Sequence, residues 1–203
     1  MAMRPRPAAR KPSQPGSVRI IGGHLRGSKL AVPDIEGLRP TPDRVRETLF
    51  NWLAPMISGA NCLDLFAGTG ALGIEALSRG AGRVDFVERD GALARALKEN
   101  LARLGETSVT VHQADALGLF ANAPQRRYDL VFLDPPFADD LWEIAAARLE
   151  AGDWLAARAW IYVESPADRS FSLPAAWHAH REKCAGNVRY ALFGRSVKLG
   201  PAE

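Results

Sequence analysis

The residues best suited to chemistry lie in the turn Asp134-Pro135-Pro136-Phe137. Two consecutive prolines fix φ twice and hold Asp134 in an extended conformation. Because neither proline has an N–H group, the carbonyl groups of this turn remain available as acceptors. A rigid turn with a carboxylate, a carbonyl oxygen and an aromatic ring suits an exocyclic amine on a flat base. The acceptors would hold the two N–H groups of the amine, and Phe137 would stack on the ring.

A glycine turn follows a short apolar run earlier in the chain. Residues 61–76 read N-C-L-D-L-F-A-G-T-G-A-L-G-I-E-A, in which Gly68, Gly70 and Gly73 have the G-x-G-x-x-G spacing of a nucleotide-binding turn. Glycine permits positive φ and the close approach of a ligand to the backbone. An ordinary strand-to-helix turn would share this spacing. Asp64 favours a binding site, because a carboxylate in a buried strand is costly to desolvate and a cationic ligand would offset that cost.

Two further acids follow predicted strands. Glu88 ends the second strand of the sheet, where an acid accepts hydrogen bonds from ribose hydroxyl groups in nucleotide-binding folds. Asp115, followed by Ala116, can accept from an adenine amino group. Each acid also has a purely structural interpretation, because Glu88 could be a charge at a helix N-terminus and Asp115 an N-cap.

Strands that alternate with helices must position these four motifs. The apolar periodicity predicts helices over 90–104 and 141–149, a short one near 117–121, and sheet strands over 62–66, 83–88, 108–113, 128–133 and 159–163. This alternation predicts an α/β fold with a mostly parallel, doubly wound sheet. Ligands bind outside the carboxyl ends of such strands. An antiparallel hairpin over 177–184 and 188–193 is predicted to end the sheet.

The N-terminal part of the chain has a different character. Residues 1–16 contain four prolines and almost no bulky apolar group, which predicts a disordered basic arm. Residues 17–40 are predicted to form a small β-hairpin extension around Gly22-Gly23. The main domain is predicted over 41–203, and its first helix is predicted to have Thr41 as N-cap and Pro42 at its first position.

Positive charge is concentrated in the first part of the chain. Residues 1–60 hold ten Lys and Arg against four Asp and Glu, whereas the remaining residues hold 16 against 19. The first 29 residues contain seven basic groups and no acid. Such segregation indicates a polyanionic partner, although a solubilising tail would also explain residues 1–16. The candidate contacts to a polyanion are Arg19, His24, Arg26, Lys29 and Arg44.

Composition excludes several classes of protein. There is no run of eighteen apolar residues and no apolar signal core, so we expect a cytoplasmic protein that does not enter a membrane. Cys62 and Cys184 have neither the spacing of a zinc site nor the density of a disulfide scaffold, so we expect no metal. The 203 residues suit one α/β domain with a small appendage, and we expect a monomer.

Taken together, the motifs resemble those of a known group of enzymes. The pattern D-x-F-A-G-x-G at Asp64 resembles motif I of the S-adenosylmethionine-dependent methyltransferases, whereas nicotinamide enzymes usually lack that acid. With Glu88, Asp115-Ala116 and D-P-P-F, the order and spacing resemble the Rossmann-like class I methyltransferases that modify exocyclic amino groups. The segments R-I-I-G-G-H-L-R-G-S-K-L and L-R-P-T-P-D-R-V-R-E-T-L-F-N-W-L further resemble the RsmD family, bacterial 16S ribosomal RNA guanine-N2 methyltransferases, over about 18–193.

This resemblance implies a function in detail. The expected substrate is one guanine of 16S ribosomal RNA, in the small ribosomal subunit or a late precursor. The expected catalytic residues are Asp134, Pro135 and Phe137. S-adenosyl-L-methionine, which becomes S-adenosyl-L-homocysteine, is expected to be bound by Asp64, Ala67, Gly68, Gly70, Glu88, Asp115 and Ala116. The five candidate contacts to a polyanion become candidate RNA contacts.

Two alternatives remain open at this stage. A methyltransferase acting on N6 of DNA adenine or on a protein glutamine amide would use a similar turn of Asp or Asn, two prolines and an aromatic residue. A non-catalytic RNA-binding assembly factor could keep the fold without turnover, although the intact acids at all the expected strand ends argue against it.

Overall fold

The computed structural model describes residues 16–33 and 41–196. Predictions for 1–15 and 34–40, which include most of the basic arm and the end of the extension, lie outside the described residues, as does 197–203. The N-terminal strands are β1 (Gly16–Arg19) and β2 (Lys29–Val32), and they pair antiparallel as a separate two-stranded sheet. Gly16, predicted as the last residue of the arm, therefore belongs to β1.

The remaining strands form one seven-stranded sheet. In chain order they are β3 (Asn61–Asp64), β4 (Arg83–Glu88), β5 (Val109–Gln113), β6 (Tyr128–Leu133), β7 (Leu155–Pro166), β8 (Trp177–Ala185) and β9 (Val188–Ser196). Their order across the sheet is β5-β4-β3-β6-β7-β9-β8. Strands β3 to β7 run parallel, and β8 and β9 form an antiparallel hairpin at one end. The predicted α/β class and the C-terminal hairpin are confirmed.

The described part of the chain has five α-helices: α1 (Asp43–Leu53), which precedes β3, and α2 (Ala71–Ser78), α3 (Gly91–Leu104), α4 (Ala116–Leu119) and α5 (Trp142–Ala151), which lie between strands of the sheet. The start of α3 is capped by Asp90, and Gly105 ends it in a left-handed conformation. The predicted cap of α1 is wrong. Pro42 occupies the N-cap position without a side-chain cap, and the Thr41 hydroxyl instead donates to Glu164.

Two apolar cores cover the two faces of the sheet. Side chains alternate along a strand, so Phe132 and Tyr162 point to one face and Val131 and Ile161 to the other. The first face, here called the hairpin face, is covered by the β1–β2 hairpin together with α1 and α2. The second face is covered by α5 and α4.

The β1–β2 hairpin is built into the main domain. The backbone N–H groups of Ile21 and Gly22 both donate to the carboxylate of Glu75 at 2.8 Å. Asn100 exchanges two hydrogen bonds with the backbone of Ala31. A Cβ atom at Gly23 would lie 1.7 Å from the Ser78 carbonyl oxygen, so the hairpin turn requires glycine there. The extension is therefore a packed part of the fold.

A buried group of charges fixes the hairpin to α1 and α2. Arg46 is fully buried and donates to the carbonyl of Arg19 at 2.9 Å. Its Nη1 lies 3.7 Å from Oε2 of Glu75, which is also fully buried. Glu75 in turn accepts from Nε of Arg79 at 2.8 Å. We call Arg46, Glu75 and Arg79 the arginine cluster.

Candidate active site

The predicted motifs converge at the carboxyl edge of the sheet. Asp64 and Glu88 end the neighbouring strands β3 and β4, and Asp134 directly follows β6 on the other side of β3. The order of connections reverses between β3 and β6, which is where ligands bind in open α/β sheets. Asp115 follows β5 at the same edge.

The glycine turn has the backbone that its sequence predicts. Gly68 and Gly70 have φ values of 53° and 75°. A Cβ atom at Gly70 would lie 2.3 Å from Cδ1 of Leu97, and one at Gly73 would lie 2.2 Å from the ring of Phe86. The turn therefore requires glycine for its conformation and for packing α2 against the sheet. Ala67, the buried residue before it, donates its N–H group to the Val87 carbonyl at 2.9 Å.

Asp64 lies beneath this turn with little exposure to solvent. It is 3% exposed, and Oδ2 accepts the N–H group of Gly73 at 3.0 Å. Burial raises the pKa of Asp64 to about 7, the Gly73 hydrogen bond opposes this rise, and the charge of Glu88 adds to it. A bound cation would reverse the shift, because an opposite charge favours the carboxylate.

Glu88 and Asp115 both take part in local structure. Glu88 accepts the N–H groups of Gly68 and Asp90 at 2.7 Å each, one on each oxygen, and so holds the glycine turn against β4. Asp115 is exposed and caps α4 through Oδ1, which accepts from Leu117 at 2.9 Å. The structural interpretation of Asp115 as an N-cap is thus confirmed, and a contact to the cofactor would use its other oxygen. Ala116 is buried behind it.

The D-P-P-F turn presents an aromatic ring to solvent. Phe137 is 41% exposed, and its ring centroid lies 5.9 Å from that of Trp142. The Pro136 carbonyl accepts the N–H group of Asp139 at 2.9 Å within a 3₁₀ turn over Phe137–Asp139. The Pro135 carbonyl receives no loop or side-chain hydrogen bond from the described residues, so it is the proline acceptor that a substrate could use.

Side chains from other loops hold this turn in place. Arg89, in the loop after β4, donates to Asp139 at 2.8 Å. Arg169, in the loop after β7, pairs with Asp140. The exposed face of Phe137 is therefore held next to the end of β6.

Asp134 has an unusual electrostatic environment. Burial raises the pKa of Asp134 well above its ordinary value, and the charges of Glu164 and Asp64 raise it further. No ion pair between described residues includes any of these three acids. We call Asp64, Asp134 and Glu164 the acid cluster. Its chemistry fits a cationic cofactor, because a positive charge would stabilise acids that the protein itself leaves without a cation.

Glu164 was not among the predicted site residues. It lies in β7 and is 6% exposed. Its Oε2 accepts the Tyr162 hydroxyl at 2.8 Å and the Thr41 hydroxyl at 3.5 Å. The strand was predicted to end at Val163, one residue before Glu164, whereas it continues to Pro166. An acid at the carboxyl end of a fifth strand was the signal that could have revealed it.

The five candidate RNA contacts are all exposed near the hairpin and α1. A groove of about 370 Å³ brings Arg19 and Lys29 next to Thr41. Arg26 and Arg44 are exposed but do not line this groove. His24 is already engaged, because Nε2 lies 2.8 Å from Glu106 and Nδ1 lies 3.1 Å from the Ser78 carbonyl.

Within 16–33 and 41–196, no group of three or more His, Cys, Asp and Glu side chains is arranged to hold a metal ion. No helix in the described part of the chain is both long and apolar enough to span a membrane.

Comparison with known proteins agrees with this geometry. The family model of Conserved hypothetical protein 95 matches residues 18–194. Ribosomal RNA small subunit methyltransferase D of Escherichia coli is 50% identical over 192 residues, which cover 93% of this chain and 96% of the relative. The protein of the same name from Haemophilus influenzae is 47% identical, with 90% and 96% covered.

A solved structure extends the similarity to three dimensions. The Escherichia coli protein yhhF superposes with a TM-score of 0.84 at 47% identity, covering 90% of this chain and 100% of that chain. The matched region spans the hairpin, the glycine turn and the D-P-P-F turn. The chain therefore belongs to the Conserved hypothetical protein 95 family, the RsmD family of methyltransferases.

Proposed function

We propose that this protein transfers a methyl group to the exocyclic N2 of one guanine in 16S ribosomal RNA, within the small ribosomal subunit or a late precursor. The names of the Escherichia coli and Haemophilus influenzae relatives support ribosomal RNA of the small subunit as the substrate. The observation that carries the proposal is the D-P-P-F turn. It holds the carboxylate of Asp134, a member of the acid cluster, together with the Pro135 carbonyl and the exposed ring of Phe137.

The reaction requires alignment more than activation. S-adenosyl-L-methionine supplies an electrophilic methyl group and leaves as S-adenosyl-L-homocysteine. Asp134 and the Pro135 carbonyl accept the two N–H groups of the guanine amine and so turn its lone pair toward the methyl group. Asp134 also stabilises the positive charge that develops on nitrogen. Its raised pKa suits it to accept the proton that the nitrogen then loses.

The target base must leave its stack to reach Asp134. Extrusion of the base costs a few kcal/mol, and the cost is smallest for a base that is already unpaired. Stacking on the exposed face of Phe137 returns about 1 to 3 kcal/mol. The ring is held on one side by Trp142, so the stacking surface is already in place before the base arrives.

The cofactor residues divide into backbone and side-chain contacts. Ala67, Gly68 and Gly70 form the surface of the glycine turn, and Asp64 faces the positive charge of the cofactor. Glu88 accepts from the ribose, and Asp115 with Ala116 receives the adenine. Each acid already holds a backbone N–H group, so ligand and loop share the same carboxylates.

The RNA is held by side chains outside the sheet. Arg19, Arg26, Lys29 and Arg44 contact phosphates along the hairpin and α1, and His24 lies among them. In the proposed complex the protein acts as a cytoplasmic monomer. Thr41 lines the groove beside this basic surface and donates to Glu164 of the acid cluster.

Mass spectrometry of nucleosides from 16S RNA tests the proposal. RNA from a strain that lacks the gene should lose one N2-methylguanosine, and the wild-type gene should restore it, whereas Asp134→Ala should not. In vitro, purified protein with radiolabelled S-adenosyl-L-methionine should methylate small subunits from the deletion strain at that same nucleotide. A parallel reaction on naked 16S RNA would establish which form is the substrate.

Other products would identify another function. Formation of N6-methyladenosine, of a ribose methyl group or of a methylated protein glutamine would contradict guanine N2 as the acceptor. Binding to the subunit without transfer of any methyl group would instead identify an assembly factor.

A further inference from the structure

Glu164 and Asp134 are neighbours on the same face of the sheet. Leu133 of β6 pairs with Val163 of β7, so the next residue on each parallel strand lies side by side at the carboxyl edge. Side chains alternate along a strand, and both acids therefore point to the hairpin face with Phe132 and Tyr162. The effect of the Glu164 charge on Asp134 agrees with this placement.

The carboxylate of Glu164 is held in a defined orientation. Both hydroxyl donors, Tyr162 and Thr41, reach the same oxygen, Oε2. The Glu164 backbone carbonyl is also fixed, because it accepts from Nε1 of Trp142 at 2.8 Å. Oε1 receives no hydrogen bond from the described residues. A rigidly held acid with one unused oxygen thus stands beside the acid that receives the amine.

Guanine and adenine differ at the position next to the reacting amine. Guanine presents two adjacent donors, the N2 amino group and N1–H. Adenine presents its N6 amino group beside N1, which is an acceptor. A second carboxylate beside Asp134 can accept the N1–H group of guanine. With adenine, its oxygen lone pair would face the lone pair of N1, and no hydrogen bond would form. A site built to accept a hydrogen bond rejects a substrate that lacks the donor, because its buried acceptor stays unpaired.

We propose that Glu164 determines specificity for guanine by accepting the N1–H group through Oε1 while Asp134 accepts from N2. This inference rests on the proposed function and adds the residue that reads the base. Tyr162 and Thr41 are positioning residues, because they orient the carboxylate through its other oxygen.

A base analogue separates this role from a structural one. 2-Aminopurine keeps the 2-amino group but has a lone pair at N1. Small subunits would be reconstituted with 16S RNA that carries guanine or 2-aminopurine at the target site, and kcat/KM would be measured for both. Wild-type protein should prefer guanine by at least tenfold. In Glu164→Gln the ratio of kcat/KM on guanine to kcat/KM on 2-aminopurine should fall at least tenfold, because the amide can donate to N1 of the analogue.

Matched variants complete the experiment. Tyr162→Phe removes one donor to Oε2 but keeps the carboxylate and the hydrogen bond from Thr41, so the preference for guanine should persist. Equal wild-type rates on the two bases, or an unchanged ratio in Glu164→Gln, would overturn the inference. If wild-type protein made no N2-methylguanosine on the guanine substrate, the proposed function itself would fail.

Discussion

Buried charge occurs in two places on the hairpin face, and the two places are satisfied in opposite ways. In the arginine cluster, Glu75 faces Arg46 and Arg79 and also accepts two backbone N–H groups. In the acid cluster, Asp134 lies near both Asp64 and Glu164, and no cation of the described residues pairs with any of the three. The first cluster has its counter-charges within the protein, and the second lacks them.

This difference indicates that the arginine cluster has a structural role and the acid cluster a functional one. A buried charge that is paired within the protein serves its packing, and here the pairs hold α1, α2 and the hairpin together. Burial raises the pKa of both Asp134 and Glu164, so the fold bears a free-energy cost that a ligand can relieve. The partners of a buried charge, more than its burial, indicate whether it serves structure or function.

The largest effect expected from this comparison is on stability. Glu75→Gln should lower the free energy of unfolding by about 3 to 5 kcal/mol, because it removes the buried charge that faces both Arg46 and Arg79 and leaves Asp43 as the remaining acid beside Arg46. Asp64→Asn is the matched control, since it removes an equally buried charge that has no cation. At pH 8 its stability should equal or exceed that of the wild type. Urea unfolding of the three proteins measures both values.

The opposite order of stability for the two variants would contradict this distinction between the clusters. If Asp64→Asn unfolded far more readily than Glu75→Gln, the charge of Asp64 would be compensated within the folded protein. The acid cluster would then be structural.

The second expected effect is on turnover. Asp134→Ala should lower kcat by about 10² to 10³, which corresponds to the loss of one preorganised partner of the transition state. Affinity for S-adenosyl-L-methionine and the unfolding transition should change little. Single-turnover methylation of small subunits gives the rate, and calorimetry gives the affinity.

An acid at the other end of the same strand provides the control. Asp129 accepts the N–H group of Asn61 at 2.9 Å at the opposite edge of the sheet. Asp129→Ala should leave kcat unchanged once the protein is folded. Equal loss of kcat in the two variants would assign the effect of Asp134→Ala to the stability of β6.

Local patterns explain why much of the fold and site could be predicted. The glycine turn, Asp90 before α3 and the two prolines after Asp134 each restrict the backbone through their own chemistry. Apolar periodicity placed β4 and β6 at their observed bounds. Each of these signals is formed by residues that are close together in the chain, so it can be recognised from the sequence alone.

The residues whose roles were not predicted owe those roles to contacts with residues that are distant in the chain. Arg46 was one of several arginines in a basic segment, and its burial involves contacts with the Arg19 carbonyl and with Glu75, which are distant in the chain. Thr41 resembled an N-cap, but its hydroxyl contacts Glu164, far along the chain. Glu164 itself was overlooked because the predicted end of β7 fell one residue short of it. Tertiary contacts, in these cases, override what local sequence suggests.

The third expected effect concerns pH and tests the acid cluster directly. With a pKa of about 7, Asp64 in the free protein is mostly protonated below that pH. The positive charge of the cofactor favours the carboxylate, so binding should release protons at pH 6. Affinity should therefore rise as pH increases from 5.5 toward 7, by at most about tenfold per pH unit for one proton, and level off above it. Calorimetry in buffers of different ionisation enthalpy counts the protons.

Asp64→Asn serves as the control for this measurement. The variant cannot titrate at that position, so the number of protons released should fall. An affinity that was independent of pH in the wild-type protein would mean that no member of the acid cluster changes its protonation when the cofactor binds.

The smallest expected effect contrasts two arginines on the same helix. Arg44 is exposed on α1, whereas Arg46 is buried in the arginine cluster. Arg46→Gln should therefore destabilise the protein, and Arg44→Gln should leave its stability unchanged. If Arg44 contacts a phosphate, Arg44→Gln should weaken RNA binding and lower the slope of log affinity against log salt by about 0.7 on single-stranded RNA.

Single substitutions suit this test better than removal of the hairpin, because β1 and β2 bury Val18, Leu30 and Val32 in the core. Arg127, exposed just before β6 at the opposite edge of the sheet, gives the matched control. Arg127→Gln should leave the salt slope unchanged. Filter-binding titrations from low to moderate salt provide the slopes. A slope in Arg44→Gln equal to that of the wild type would mean that this charge does not contact an RNA phosphate.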